Sequence, residues 1–201
     1  IYTAAKLDAT YALPFTRSHP ELAVPTPALR MNLFSVTAHR GCGGGCAFCS
    51  ITGHEGKRII SRSTESILTE IRAFASHPLW RGVVGDIGGA SAEMYGADCT
   101  TPCRRAACLH PEPCPAFTNG EPYRLLLAAA RALPQVRQIQ LGSGVRYDVL
   151  LQNPALLEDI LRFHSGAFLR VAPEHMDDCI LTLMRKPAFS VFRQFLDLFR
   201  E

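Results

Sequence analysis

Cys42, Cys46 and Cys49 are separated by three and two residues in the run Met31 to Ile51, MNLFSVTAHRGCGGGCAFCSI, on a loop that also carries Gly41, Gly43, Gly44 and Gly45. A thiolate is a soft, strongly donating ligand. Three of them on short spacers can hold three corners of a cubic iron–sulfur cluster, which leaves the fourth iron without a cysteine. Such an open corner is a place for chemistry, as the open position of a catalytic zinc is. The glycines let the backbone take positive φ and wrap closely around an inorganic core, where bulky residues would obstruct it. Two other readings stay open on spacing alone: a zinc site lacking one ligand, and three buried thiols. Zinc ligands usually come as Cys-x2-Cys or Cys/His pairs at two separated places, and one compact triplet fits that poorly.

A second group, Cys99, Cys103, Cys108 and Cys114, falls in a proline-rich stretch between Ala90 and Gly120 that reads as an insertion and not as a core element. Four thiols suffice for a closed tetrahedral zinc site or a fully ligated second cluster, either of which would order a loop too poor in apolar residues to fold alone. The irregular spacers lack the Cys-x2-Cys pairing that marks zinc, so four reduced thiols is the competing reading. The remaining cysteine, Cys179, reads as a small buried hydrophobe on a helix.

The elements that must position these loops follow from periodicity. Ile1 to Arg30, with Pro14, Pro20, Pro25 and Pro27, predicts an extended lead-in with little regular structure. Leu33 to Thr37 is the first expected strand, delivering the triplet at its carboxyl end, where ligands sit in parallel α/β sheets and barrels. Ser63 is placed to cap a helix carrying Ile67, Ile71 and Phe74 and ending near Pro78. Gly82 to Ile87 predicts a second, buried strand ending at Gly88-Gly89, and Val136 to Leu141 a third ending at Gly142-Ser143-Gly144. Between them, Tyr123 to Leu133 carries a helical face at Leu126, Ala129, Ala130 and Leu133. Asn153 and Pro154 are a cap and first turn for the stripe Leu156, Leu157, Ile160 and Leu161. A fourth strand is expected over Ala167 to Val171, stopping at Ala172-Pro173-Glu174-His175, and helices over Met176 to Met184 and Ser190 to Arg200. Alternating strands and helices call for an α/β fold with a parallel sheet. The domain plan is therefore a lead-in over 1–30 and a core over 31–201, interrupted by the Cys-rich insertion over 90–120.

Composition narrows the function classes. With 47% hydrophobic and 19% charged residues among 201, disorder is not indicated. A formal charge of +3, with no basic run longer than a residue pair, lacks the electrostatic footprint of a nucleic-acid binder. No apolar stretch approaches the ~20 residues of a membrane span, and no secretory signal opens the chain. Eight cysteines in short clusters then suggest metal or redox chemistry in a reducing compartment, with a cytoplasmic location expected. The chain begins at Ile1 without an initiator Met, so a piece of a longer protein is expected.

The triplet, with Phe48 before its last cysteine, resembles the signature of the radical SAM superfamily. The longer strings GCGGGCAFCSITGHEGK, SRSTESIL, DIGGASAEMYG, SGVRYD, VAPEH and LMRKP are similar to its YgiQ-type group, from about Leu13 onward. The resemblance implies a partial (β/α)6 barrel, truncated here to about four parallel strand–helix units, with further domains on both sides. It implies a [4Fe–4S] cluster on Cys42, Cys46 and Cys49 whose open iron is chelated by the amino and carboxylate groups of S-adenosylmethionine. One electron from an external donor such as flavodoxin or ferredoxin then breaks a C–S bond, and the 5′-deoxyadenosyl radical abstracts hydrogen from a substrate that the sequence does not name. By the same resemblance Phe48 lies near the adenine, Gly88 and Gly89 meet the methionine amine, and Ser143, Arg146 and Glu174 stand at the barrel end near ribose or carboxylate. Ala90 departs from the Glu of many relatives. Read from the residues alone, Arg146 and Asp148 form a helix-entry ion pair as readily as a cofactor contact. Glu174 and His175 make a turn at the functional face, and His54 and Glu55 read as loop-stabilising. The alternative function is a non-catalytic iron–sulfur or zinc module with a structural or redox role.

Overall fold

The computed structural model describes residues 2–17, 27–99, 103–166 and 168–200. Its centre is the stretch 83–88, which is split at Gly85 into two short strands that pair on opposite sides. Strand β1 spans Ser35–Thr37, β2 His39–Arg40, β3 Ile60–Ser61, β4 Val83–Val84, β5 Asp86–Gly88 and β6 Gln138–Ile139. β5 pairs parallel with β1, setting Val36 opposite Ile87 and Thr37 opposite Gly88. β4 pairs parallel with β6, setting Val84 opposite Ile139. β2 and β3 form a small antiparallel pair beside them. The result is mixed α/β with short parallel pairs and no closed barrel among the described residues. Val36, Val84, Ile87 and Ile139 are all buried, as strands covered on both faces require.

Helices cover these pairs. They are α1 (Ala4–Tyr11), α2 (Pro27–Asn32), α3 (Ile51–Glu55), α4 (Thr64–Ala73), α5 (Glu121–Arg131), α6 (Tyr147–Leu150), α7 (Pro154–Asp159), α8 (Asp178–Met184) and α9 (Phe189–Arg200). The predicted caps of α4 and α7 are present. Ser63 Oγ accepts from the Ser66 amide and Asn153 Oδ1 from the Leu156 amide, each satisfying an end amide that the helix leaves without a partner. Ile67, Ile71 and Phe74 are buried on the face turned to the sheet, worth roughly 1.5–3 kcal/mol each. Tyr123, Leu126, Leu127 and Ala130 do the same for α5, and the Tyr123 hydroxyl donates to the Ile87 carbonyl at 2.6 Å.

Four expectations are corrected. The lead-in carries helix: Thr3 caps α1, Leu7 is buried, and Asp8 accepts from the Ser63 amide, so local capping and one docked leucine outweigh the prolines. Residues 18–26 of that lead-in lie outside the described residues. No strand forms over Phe168 to Val171, with Ala167 outside the described residues. Only one ladder-like bond is made there, from the Val145 amide to the Arg170 carbonyl at 3.0 Å, although Leu169 and Val171 still pack on the core. The 90–120 insertion is partly core: Ala92, Met94, Tyr95, Ala97, Ala107 and Leu109 are buried, and the Tyr95 hydroxyl donates to the Arg62 carbonyl. Cys179 is exposed on α8, not buried. Among the described residues no helix is long and apolar enough to cross a membrane.

Candidate functional site

The cysteine loop leaves β2 and is fastened by groups far from it in sequence. Gly41 has φ +90°, and a Cβ there would fall 2.1 Å from the Arg58 carbonyl oxygen, so only glycine fits. Its amide donates to Glu55 Oε2 at 3.1 Å while Arg40 donates to Glu55 Oε1 at 2.8 Å, which gives Glu55 its expected loop-stabilising role. His54 is exposed. On one side the Gly43 carbonyl accepts from the Cys108 amide at 2.7 Å. On the other, the Ala47 amide donates to the Met184 carbonyl at 3.0 Å and Arg185 donates to the Gly45 carbonyl at 3.2 Å.

Held this way, Cys42, Cys46 and Cys49 line one cavity of about 220 Å³ together with Phe48, Arg146 and Glu174. At its base a Cβ on Gly44 would lie 3.4 Å from Cys42 Sγ, 3.7 Å from Cys46 Sγ and 3.3 Å from Arg146 Nη1, a cradle that a side chain would fill. Arg146 and Asp148 are both the predicted ion pair and part of this wall: Nε to Oδ1 is 3.0 Å and Nη2 to Oδ2 is 2.6 Å, with both residues buried. Burial works against the guanidinium charge, but Asp148 more than offsets it and holds Arg146 above the ordinary arginine pKa. Burial pushes the Cys42 thiol up, with Arg146 pulling the other way.

Sequence reasoning missed two charged residues here, one in the wall and one behind it. Lys186 is buried in the cavity with Nζ 3.7 Å from Glu174 Oε1, and burial, with Arg146 nearby, holds its pKa below the ordinary lysine value. Glu174 and Arg185 both take left-handed backbone, at φ 70° and 57°, a strained state for residues with side chains. Glu93 lies behind the wall, fully buried, accepting from Ser91 Oγ at 2.8 Å and from the Arg146 amide at 3.1 Å. Its Oε2 has no hydrogen-bond partner among the described residues, and burial raises its pKa to about 7. A signal for Glu93 lay in DIGGASAEMYG, where it stands between Ala92 and Met94; Lys186, next to Arg185 in LMRKP, gave none.

Gly88, Gly89 and Ser143 are not in this cavity but in a polar one of about 300 Å³ that adjoins it through Ile51 and Ala90. Asp86 organises it, accepting from Ser143 Oγ at 2.5 Å and from the Gly142 and Ser143 amides at 2.9 and 3.0 Å. His39, also unforeseen, is fully buried there against Gly89, where a Cβ would fall 2.5 Å from its ring. Neither ring nitrogen has a hydrogen-bond partner among the described residues, and burial lowers its pKa to about 4.

The third cavity, about 310 Å³, is walled by Cys99, Cys103, Cys108 and Cys114 with Lys57, Ile59 and Phe117. Among the described residues no group of three or more His, Cys, Asp or Glu side chains already stands as a metal-ligand set. What the first cavity offers an iron–sulfur cluster is the donor chemistry: three thiols at one wall, a side-chain-free cradle at Gly44, and cations beside them.

A mixed α/β chain with two thiol-lined cavities is what the fold and sites define, and its relatives narrow this further. The chain is 45% identical over 98% of its length to a UPF0313 protein of Geobacter sulfurreducens, and 45% identical over 99% to one of Methanocella arvoryzae. It is 41% identical over 96% of its length to the UPF0313 protein YgiQ of Escherichia coli K12. These alignments cover 34%, 34% and 28% of the relatives, so the chain spans about a third of the length of the curated proteins it matches. No protein-family model matches it.

Proposed function

We propose that the chain is the core of a YgiQ-type radical SAM enzyme, and that its parallel strand pairs are units of a partial (β/α)6 barrel. The observation that carries this reading is the meeting of Cys42, Cys46 and Cys49 with Phe48, Arg146 and Glu174 around one cavity, next to a second that holds Gly88, Gly89 and Ser143. The three cysteines would hold a [4Fe–4S] cluster, and bound S-adenosylmethionine with that cluster would supply a reductive C–S cleavage and a hydrogen-abstracting radical. The chain's own residues have other tasks. Arg146 and Lys186 set positive charge on the wall that carries the thiols, a counter-charge for the thiolates that would bind metal. Phe48, half exposed at the cavity mouth, offers a flat apolar face to an aromatic base. Asp86 holds Ser143 against Gly88, fixing backbone acceptors and a hydroxyl along one wall.

The test is anaerobic iron and sulfide reconstitution, reduction, and a search for 5′-deoxyadenosine after adding S-adenosylmethionine. Cofactor cleavage that disappears in C42A supports the proposal. A fully loaded, reduced cluster whose electron resonance spectrum ignores the cofactor would favour a structural or redox module.

A further inference from the structure

We infer that Cys99, Cys103, Cys108 and Cys114 form a closed four-thiolate metal centre of their own, which clamps the insertion onto the loop carrying Cys42, Cys46 and Cys49. Sequence spacing left this open because the intervals are irregular. In space the four thiols border one cavity, and that cavity shares no wall residue with the one lined by the other three. The two groups are therefore separate candidates for metal.

What surrounds the four thiols suits metal better than free sulfhydryls. The Arg105 amide donates to Cys103 Sγ at 3.3 Å, so this sulfur already acts as an acceptor. Lys57 lines the same cavity and donates to the Cys103 carbonyl at 3.5 Å and to the Arg105 carbonyl, so a cation is tied to the backbone that carries the ligands. Among the described residues no helix or strand forms over 103–120, and only Ala107 and Leu109 of its apolar side chains are fully buried. That is little to hold four thiols around one space, and a metal supplies the missing cross-link. Binding a divalent ion replaces four S–H bonds by four metal–sulfur bonds and releases four protons, leaving a site of net charge −2 beside Lys57. Cys103 is exposed and the sulfurs are not yet a ligand set, so binding draws Cys103 inward.

The clamp follows from where Cys108 sits. Its amide donates to the Gly43 carbonyl, and a Cβ on Gly43 would lie 3.3 Å from Cys108 Sγ. The neighbouring Ala106 carbonyl closes on Gly45 in the same way, at 2.5 Å from a Cβ there. A metal that fixes Cys108 therefore fixes the glycine backbone between Cys42 and Cys46.

The experiment is metal analysis and native mass spectrometry of the protein carrying C42A/C46A/C49A, so that its outcome does not depend on the radical reading. About one zinc, or about four irons, per chain supports the proposal and identifies the metal, provided it is lost when C103S/C114S is added. Should the triple variant fail to fold, alkylation of the unsubstituted protein reads the same point, with exposed Cys179 as the reactive reference. Protection of the four insertion thiols until a chelator is added supports the centre. A metal-free triple variant with four freely titrating thiols, or a mass showing disulfides there, would overturn it. With Cys42, Cys46 and Cys49 left in place, C103S/C114S alone is expected to weaken iron retention at those three cysteines on the order of tenfold, as loss of outer support typically does. Unchanged retention would overturn the clamp.

Discussion

The two thiol cavities use the same donor atom in different ways. Around Cys42, Cys46 and Cys49 the wall is charged: Arg146, Asp148, Lys186 and Glu174 all reach it, and the cavity opens beside a second, polar one. Around Cys99, Cys103, Cys108 and Cys114 the charged residues among those described are cations alone, Lys57, Arg58 and Arg105, set among Ile59, Ala97 and Phe117. Three thiols with counter-charges and open space suit a centre that takes a second ligand. Four thiols with only cations beside them suit one whose valences are all used by the protein. The difference teaches that ligand number and the signs of charge on the wall, more than the presence of sulfur, would separate a reactive site from a fastening one.

The sharpest test of that contrast is Cys46→Ala, expected to abolish reconstituted iron absorption at the first site while leaving any metal on the second. Equal loss at both sites would mean that the two cavities are one system. Next comes Arg146→Ala, which leaves the Asp148 carboxylate buried without its partner and should cost about 3–5 kcal/mol in denaturant unfolding. A cost under about 1 kcal/mol would show that the charged wall is not needed for folding.

Glu93 joins the two regions, since it holds the Arg146 amide at one end and packs its Cβ against Gly120, at the end of the insertion. Its carboxyl titrates near 4.5 when unfolded and about 7 when folded, so the folded state holds an extra proton between those values. Stability from this group is therefore full below pH 4.5 and falls as pH rises to 7, by about 3 kcal/mol in all. His39 runs the opposite way: its folded pKa of about 4 lies below the ordinary 6.5, so its contribution is lost as pH falls through that window. Glu93→Gln should remove the neutral-side decline and leave the acid-side one, read from melting temperature against pH. A profile identical to that of the unsubstituted protein would refute the assignment. The smallest effect is expected from Lys57→Met, which removes the tether to the Cys103 and Arg105 carbonyls and should cost about 1 kcal/mol while speeding alkylation of Cys103. No change in that rate would mean that Lys57 does not order the insertion.

Much of this was legible in the sequence where the signal is local. The caps at Ser63 and Asn153 and the Ile67 and Ile71 stripe are set by neighbours within a few residues and are found as read, and the three cysteines of the triplet line one cavity. The helix over Ala4–Tyr11 escaped notice because prolines after it set the tone of the whole lead-in. Phe168 to Val171 has strand composition but makes too little pairing to become one, a tertiary outcome that composition does not carry. Lys186, Glu93 and His39 were missed for a related reason: each is a single ionisable residue whose meaning comes only from burial. The split of Gly88, Gly89 and Ser143 from the cysteine cavity is likewise a matter of where chains meet, which spacing cannot report.

The contact of Arg185 with the Gly45 carbonyl joins residues 140 positions apart, and the Ala47 to Met184 bond lies beside it. During synthesis the cysteine loop therefore emerges long before the residues that shape one of its sides. At typical translation speeds the interval is roughly 7–30 s, far longer than a local loop needs to close. Through that interval three thiols wait in an unfinished loop, open to oxygen and to the wrong metal. Under the proposed function, a cluster would be loaded after most of this chain has been made, and a delivery factor that acts late would meet a loop already in its final shape.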